Sequence, residues 1–331
     1  MQGETEVNKK SSDGSTRVTV LVALAANLVI AAAKAVGGLV TGSPALLSEA
    51  AHSVADSLNE VFLLASLRRS RRPPDDRHPF GYGKERYFWA LLAAVGIFVM
   101  GGCFSFFQGF EALRSTESES PSGYAVGLTV LAIALLAEGA SLVRALVQLR
   151  GSPDGLRDPA LRTVLAEDST AVLGVLLAIA GMVLHLLTGN ILWEAAASFA
   201  IGLLLVFIAY RLGAEARGQL IGEAVDPELR GKLRTLLEAQ PEIDNVATLL
   251  TMKLGLDSTL VAARIDLTPG LDSETVELVC VRIKNSVSGI WPTADQVFLD
   301  ITEAPTGAGA GACEVPERPG THRENIQDAR T

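Results

Sequence analysis

Residues 43–60 of the 331-residue chain read SPALLSEAAHSVADSLNE and open an apolar run that continues through residues 61–65. His52 and Asp56 interrupt this run four residues apart, so they lie on one face of a helix. An imidazole nitrogen and a carboxylate oxygen form half of a tetrahedral site for a divalent ion such as zinc. An ionisable residue within a membrane span costs about 2.5–3.5 kcal/mol on insertion scales and by default marks a function. We therefore favour a metal site over a simple hydrogen bond between helices.

The composition is that of a chain that is part membrane and part aqueous. Hydrophobic residues make up 49% of it and aromatic residues only 5%, and its 31 glycines allow membrane helices to pack closely. The net charge of −9 argues against a nucleic-acid partner. The three cysteines form no CxxC pattern, which argues against a disulfide framework. No cleavable signal peptide is expected, because the first apolar run follows a polar tail and is long enough to span a membrane.

Six apolar stretches predict six transmembrane helices within residues 17–212. They are Val18–Val40, Pro44–Leu67, Tyr87–Phe110, Tyr124–Leu149, Thr163–Leu187 and Ile191–Leu212. Each is long enough to cross a hydrocarbon core of about 30 Å. A soluble helical bundle is disfavoured because residues 18–33 carry no polar stripe.

The distribution of basic residues predicts the orientation of these spans. Basic residues occur in the N-terminal tail, after spans two and six, and between spans four and five. They are Lys9, Lys10, Arg17, Arg68, Arg69, Arg71, Arg72, Arg77, Lys84, Arg86, Arg150, Arg157, Arg162, Arg211 and Arg217. The other three loops carry no lysine, and Arg114 is the only nearby arginine. The positive-inside rule then predicts an integral protein of the plasma (inner) membrane with both termini in the cytoplasm.

The pattern beyond span six predicts a small cytoplasmic α+β domain over residues 213–304, with the order α-β-β-α-β. Asp226 is a plausible N-cap with Pro227 at the first helical position. Strands are predicted at Val246–Leu254, Ser258–Leu267 and Gln296–Ile301, and a second helix at Asp272–Ser288. Residues 1–16 and 305–331 are polar or lack any period, and we expect both tails to be disordered.

Glu167 and Asp168 in the fifth span form a second candidate cluster. With a rise of about 1.5 Å per residue, Asp56 lies about 18 Å from one membrane face and Asp168 about 9 Å from the other. The two clusters therefore meet at similar depth if the helices are neighbours. The alternative is that Glu167 and Asp168 are only the acidic first turn of the span, where they suit the helix dipole.

Other polar groups within the spans carry weaker signals. Glu138 and Glu194 are candidates for tying helices together or lining an access path. Lys34 is expected to snorkel to the outer interface, and His185 to lie at that interface. His78, in the basic loop, is interpreted as structural.

Two stretches, SPALLSEAAHSVADSLNE and HPFGYGKERYFWALLAA, resemble the cation diffusion facilitator family of divalent-metal transporters. His78–Gly83 resembles the loop motif of that family, and Trp193-Glu194 its start of span six. The resemblance implies that His52 and Asp56 are the first pair of metal ligands. It also implies metal export in exchange for protons, with no prosthetic group, by a homodimer joined through a ferredoxin-like cytoplasmic domain.

Span five departs from the family pattern because His-x-x-x-Asp is not repeated there. Either Glu167 takes the His slot and Ala171 the Asp slot, or Asp168 takes the Asp slot and Val164 the His slot. The Glu-Asp pair and the later Ile-Gly-Glu-Ala at residues 221–224 resemble one subgroup of the family. One imidazole and up to three carboxylates form a harder site than two histidines would, so manganese, iron or cobalt joins zinc as a candidate ion.

The sequence thus predicts a divalent-cation efflux transporter rather than an enzyme, with the bilayer, the metal ion and protons as its partners. Its predicted metal ligands are His52, Asp56, Glu167 and Asp168. Two alternatives remain open, a non-transporting membrane scaffold with a degenerate metal site and a membrane-embedded enzyme. From Asp226 to Glu303 there is no histidine and Cys280 is the only cysteine. We therefore expect this domain to dimerise without holding high-affinity zinc.

Overall fold

A computed structural model describes residues 24–114, 121–151, 159–255 and 257–302 of the protein. The two predicted tails and the predicted start of span one at Val18 lie outside these residues. The chain divides into two compact units, the first formed by the helices up to Val225 and the second by most of the residues from Asp226 onward.

The first unit is built from long helices. They are α1 (Leu24–Thr41), α2 (Pro44–Arg69), α3 (Glu85–Gly96), α4 (Phe104–Arg114), α5 (Pro121–Gly151), α6 (Pro159–Thr188) and α7 (Leu192–Ile221). A π-helical stretch, Ile97–Cys103, joins α3 to α4, so that Glu85–Arg114 is one continuous helical rod. Within the described residues, five helical segments are long and apolar enough to cross a membrane: α1, Glu85–Arg114, and parts or all of α5, α6 and α7.

Helix α2 corresponds to the predicted second span but is less apolar than the other five. Its 26 residues make it about 39 Å long, which is sufficient to cross a bilayer. Glu49, Asp56 and Glu60 interrupt its apolar character, so its crossing of the membrane remains a prediction. The Ser43 hydroxyl caps its first turn by accepting a hydrogen bond from Leu46 N, with Pro44 at the first helical position.

The bundle has an apolar core and an apolar outer surface. Fully buried side chains such as Leu46, Leu131, Met182 and Leu205 form the core. Large apolar side chains also face outward on several helices, among them Leu136, which is 75% exposed. A helix that is apolar on both its inner and its outer face belongs in a lipid environment.

The π-helical stretch was not predicted from the sequence, and it lies where the rod meets α7. A Cβ at Gly101 would lie 2.8 Å from Leu205 Cδ1, and one at Gly102 would lie 2.9 Å from Val206 Cγ2. Glycine at both positions therefore lets the two helices approach closely without displacing these side chains.

The loop between α2 and α3 contains an ordered turn around Asp75. The Tyr82 hydroxyl donates to Asp75 Oδ2 at 2.6 Å and the His78 N–H donates to Asp75 Oδ1 at 2.7 Å. These two hydrogen bonds hold the pKa of the Asp75 carboxyl below its ordinary value. The His78 ring packs on Tyr82 with 4.2 Å between ring centroids.

The second unit has the predicted element order. It consists of α8 (Pro227–Glu238), β1 (Ile243–Lys253), β2 (Thr259–Leu267), α9 (Ser273–Ile290) and β3 (Gln296–Ile301), and the strands pair in the order β1-β2-β3. Asp226 caps α8 by accepting from Glu228 N at 2.9 Å, which confirms the predicted start of this helix. A ferredoxin-like fold stays a prediction, since the sheet has three strands among the described residues.

The core of the second unit follows helical and strand periodicity. Val279, Ile283 and Val287 recur every fourth residue along α9 and are buried. Alternate residues of β2, including Val261 and Ile265, are also buried. An apolar helical stripe and one sheet face therefore supply the core of this unit.

We expect Ile283→Ala to destabilise this unit by about 2–5 kcal/mol, because it removes a fully buried branched side chain. Hydrogen exchange of the β1–β3 amides in the intact, detergent-solubilised protein measures the loss. Val281→Ala is the control, since Val281 lies on the same helix and is 50% exposed. Equal exchange rates in the two variants would contradict this assignment of the core.

Candidate functional site

Helix α2 places His52 and Asp56 on one face, as their spacing predicts. His52 Nε2 lies 3.4 Å from Asp56 Oδ2. His52 is buried, whereas the Asp56 side chain is 39% exposed. The pair thus combines a buried imidazole with a carboxylate that is partly exposed.

The helical bundle contains a cavity of about 330 Å³. Asp56 of α2, Glu138 of α5, and Glu167 and Asp168 of α6 all line it. His52 is not one of its lining residues and lies behind Asp56. The three predicted carboxylate ligands therefore share one cavity, and the predicted histidine is joined to it through Asp56.

Neutral polar side chains hold the two acids of α6. Asn59 Nδ2 donates to Glu167 Oε1 at 3.2 Å, and Ser141 Oγ donates to Asp168 Oδ2 at 2.9 Å. Both acids are thus positioned by side chains from neighbouring helices. Ala171, the alternative Asp slot, also lines the cavity. The side chain of Val164, the alternative His slot, lies outside the described part of the chain.

Sequence reasoning missed two of the polar residues that line this cavity. Asn27 of α1 donates to Glu60 Oε1 at 2.8 Å, and Asn59 contacts α6 as described above. Asn59 and Glu60 lie three and four residues after Asp56, so helical spacing alone was a signal that they share its face. Asn27 carried no comparable signal, because α1 has no other polar residue before Lys34 in its described part.

Lys34 was predicted to snorkel to the interface, and that prediction is wrong. Its ammonium is 1% exposed and lies 2.9 Å from Glu49 Oε2 and 2.8 Å from Glu138 Oε1. It also donates to Ser53 Oγ at 3.0 Å. Two buried carboxylates stabilise the charge inside the bundle, so the side chain need not reach water.

The ligand set is not closed in this structure. Across the described ranges, no three His, Cys, Asp or Glu side chains converge closely enough to hold a metal ion. The cavity instead presents separate carboxylates around a polar space.

A second buried polar cluster lies at the end of the bundle that holds the turns between α1 and α2 and between α6 and α7. Glu194 is fully buried at the start of α7 and accepts hydrogen bonds from Ser43 Oγ and from the Tyr124 hydroxyl at 2.9 Å. His185 Nδ1 lies 2.7 Å from Glu194 Oε1. This turn-end cluster ties α2, α5, α6 and α7 together.

Apolar packing separates the turn-end cluster from the cavity. Leu46 and Met182 are fully buried between them. On α2 the residues that line the cavity run from Ser53 to Glu60, away from the turn end. The bundle is therefore closed by packed side chains at the turn end and contains the polar cavity beyond it.

These features define a polytopic membrane protein with an acidic internal cavity. Residues 20–221 match the family described as the cation efflux transmembrane domain. The chain belongs to the cation efflux family, which confirms the resemblance inferred from the motifs and places it with transporters rather than enzymes.

The relatives come from animals, plants and bacteria. The chain is 33% identical over 258 residues to the "Proton-coupled zinc antiporter SLC30A9, mitochondrial" of Xenopus laevis, covering 75% of this chain and 46% of that protein. It is 31% identical over 266 residues to metal tolerance protein C4 of Arabidopsis thaliana, covering 77% of this chain and 58% of the relative. It is 24% identical over 285 residues to the cation-efflux pump FieF of Serratia proteamaculans, covering 83% and 89% of the two chains. The chain thus spans about half the length of the zinc antiporter it matches.

We expect replacement of Glu194 by leucine to lower the thermal stability of the protein. Ser43 and the hydrogen-bonded pair of Tyr124 and His185 lose the buried acceptor that joins them to α7, and a buried polar group left without a partner costs about 1–3 kcal/mol. Thermal unfolding in detergent measures the change.

The control is Leu192→Ala, which alters an exposed side chain two residues away and should leave the unfolding temperature nearly unchanged. If the two variants unfold at the same temperature, Glu194 does not hold the helix ends together.

Proposed function

We propose that this protein exports a divalent cation, with zinc the first candidate, in exchange for protons. The observation that carries the proposal is the cavity in which Asp56, Glu167 and Asp168 face a common space beside His52. Carboxylate oxygens and one imidazole nitrogen are ligands for a first-row divalent ion. Membership of the cation efflux family supports this choice of cargo.

The choice of ion rests on ligand chemistry and on the named relatives. His52 favours zinc, and the zinc antiporter among the relatives supports that assignment. The carboxylates also suit manganese, iron or cobalt, and a 90-residue segment is 37% identical to the manganese efflux system protein MneP of Bacillus subtilis. Zinc is therefore proposed as the main cargo, with manganese as its nearest competitor.

Proton exchange follows from the nature of the ligands. A carboxylate or imidazole must lose its proton to bind a metal ion, so loading the cavity releases protons. On the opposite side of the membrane, protons return to the same groups and displace the ion. His52 is suited to this exchange because imidazole changes its protonation near neutral pH.

Alternating access supplies the path. In the proposed cycle the ion enters the cavity from the side that holds the basic loop, while the turn end is closed by apolar packing and by the turn-end cluster. Rearrangement of the helices then opens the turn end and closes the other. We propose that the basic loop and both termini face the cytoplasm at the plasma membrane, and that the protein is a homodimer.

We expect His52→Ala and Asp56→Ala each to reduce zinc flux into proteoliposomes under a proton gradient by at least about tenfold, because each removes a candidate ligand. Flux is measured with a zinc-sensitive dye on the trans side. Repeating the assay with manganese, iron and cobalt in competition with zinc gives the order of preference.

Val54→Ala is the matched control, since Val54 lies between the two residues on α2 and does not line the cavity. If both alanine variants transport zinc and manganese like the wild type, the site assignment is wrong. If the wild-type protein carries no divalent ion at all, the chain is better interpreted as a non-transporting scaffold.

The orientation is tested with single cysteines placed in the basic loop at Arg77 and in the turn at Asn190, in a background that lacks the native cysteines. We expect a membrane-impermeant thiol reagent added to intact cells to label position 190 and to spare position 77. The reverse pattern would overturn the proposed direction of entry.

A further inference from the structure

We infer that Glu49 is a positioning residue that orients His52 for the cargo ion, and that Lys34 holds Glu49 in place. The inference rests on the proposed function, since it assigns the second layer of the same cation site. Neither residue belongs to the predicted ligand set of His52, Asp56, Glu167 and Asp168.

The geometry around His52 separates the two ring nitrogens. Nε2 faces Asp56 Oδ2 at 3.4 Å, on the side of the cavity. Nδ1 faces Glu49 Oε1 at 3.6 Å, on the buried side. A small rotation brings Nδ1 within hydrogen-bond distance of this carboxylate. A carboxylate that accepts the Nδ1 proton leaves the Nε2 lone pair for a metal ion and fixes the plane of the ring.

Glu49 is set up for this role because one of its oxygens is held and the other is not. Lys34 Nζ binds Glu49 Oε2 at 2.9 Å, and the Glu49 side chain is fully buried. Glu49 Oε1 is buried as well and accepts no hydrogen bond from the described residues. A buried carboxylate oxygen without a donor costs free energy, and the neighbouring Nδ1–H is the group placed to satisfy it.

Helix α6 confines the carboxylate from the other side. A Cβ at Gly174 would overlap Glu49 Oε1 and would lie 3.3 Å from His52 Nδ1. A Cβ at this position would force the Glu49 carboxylate to shift, so glycine leaves room for the two side chains in their observed positions. Lys34 on one side and Gly174 on the other therefore limit Glu49 to the position from which it reaches His52.

The test compares the same substitution in two backgrounds. We expect Glu49→Gln to raise the zinc dissociation constant and the transport KM about 10–100-fold, the usual effect of removing a partner that orients a metal-binding histidine. The His52→Asp background keeps a carboxylate ligand but has no imidazole ring to orient. In that background Glu49→Gln should change both constants less than about threefold, because the effects of coupled substitutions at positions 49 and 52 are not additive. Binding is measured in detergent by competition with a chromogenic zinc chelator, and transport in proteoliposomes.

Two further pairs of variants keep the test decisive if Glu49→Gln fails to fold. Gly174→Ala displaces the carboxylate without removing its charge and should weaken zinc binding. Gly139→Ala, which adds the same methyl group into open space, should not. Lys34→Arg, which keeps a cation beside Glu49, should retain more zinc affinity than Lys34→Met.

Val54→Ala, on the same helix and outside the cavity lining, is the control and should leave zinc affinity unchanged. Equal losses from Glu49→Gln in the wild-type and His52→Asp backgrounds, or equal losses from Gly174→Ala and Gly139→Ala, would overturn the inference. A wild-type protein that binds no zinc would instead overturn the proposed function itself.

Discussion

Lys34 Nζ lies within 3 Å of a carboxylate oxygen on α2 and another on α5, in a bundle whose core is mainly apolar. An ammonium in such surroundings is costly unless opposite charges stay beside it, and removing one partner of a buried pair typically costs about 3–5 kcal/mol. The ion pairs with Glu49 and Glu138 therefore fix the relative positions of α1, α2 and α5. Helices that pack through small apolar residues have little else to prevent them from sliding along one another.

The other features of the bundle follow from this fixed arrangement. With α2 held against α1 and α5, Asp56 projects into a cavity that Glu167 and Asp168 reach from α6. The turn-end cluster around Glu194 joins the helices at the opposite end through buried hydrogen bonds. The bundle therefore has side chains packed together at one end and a polar cavity nearer the other, with the ion pair beside it.

Several parts of the fold could be predicted from the sequence because each depends on local pattern. The cap at Asp226 and the strand predicted at Ser258–Leu267 agree with expectation. The π-helical stretch was not predicted, because no local period marks it; it lies where Gly101 and Gly102 pack against α7. The second helix shows the limit of hydropathy: the polar residues that build the cavity are the same ones that lower its apolar character.

The sequence by itself determined that His52 and Asp56 share a helical face, whatever that helix packs against. It also determined the family through those motifs. Only the tertiary structure decided which buried residues surround this pair. The contacts of Lys34 with Glu49 and Glu138 join residues 15 and 104 positions apart, and no local period encodes such a pairing. A lysine near a helix end has two ways to avoid a buried unpaired charge, which are to reach water or to find carboxylates. Which of the two Lys34 adopts depends on the carboxylates that the neighbouring helices place beside it.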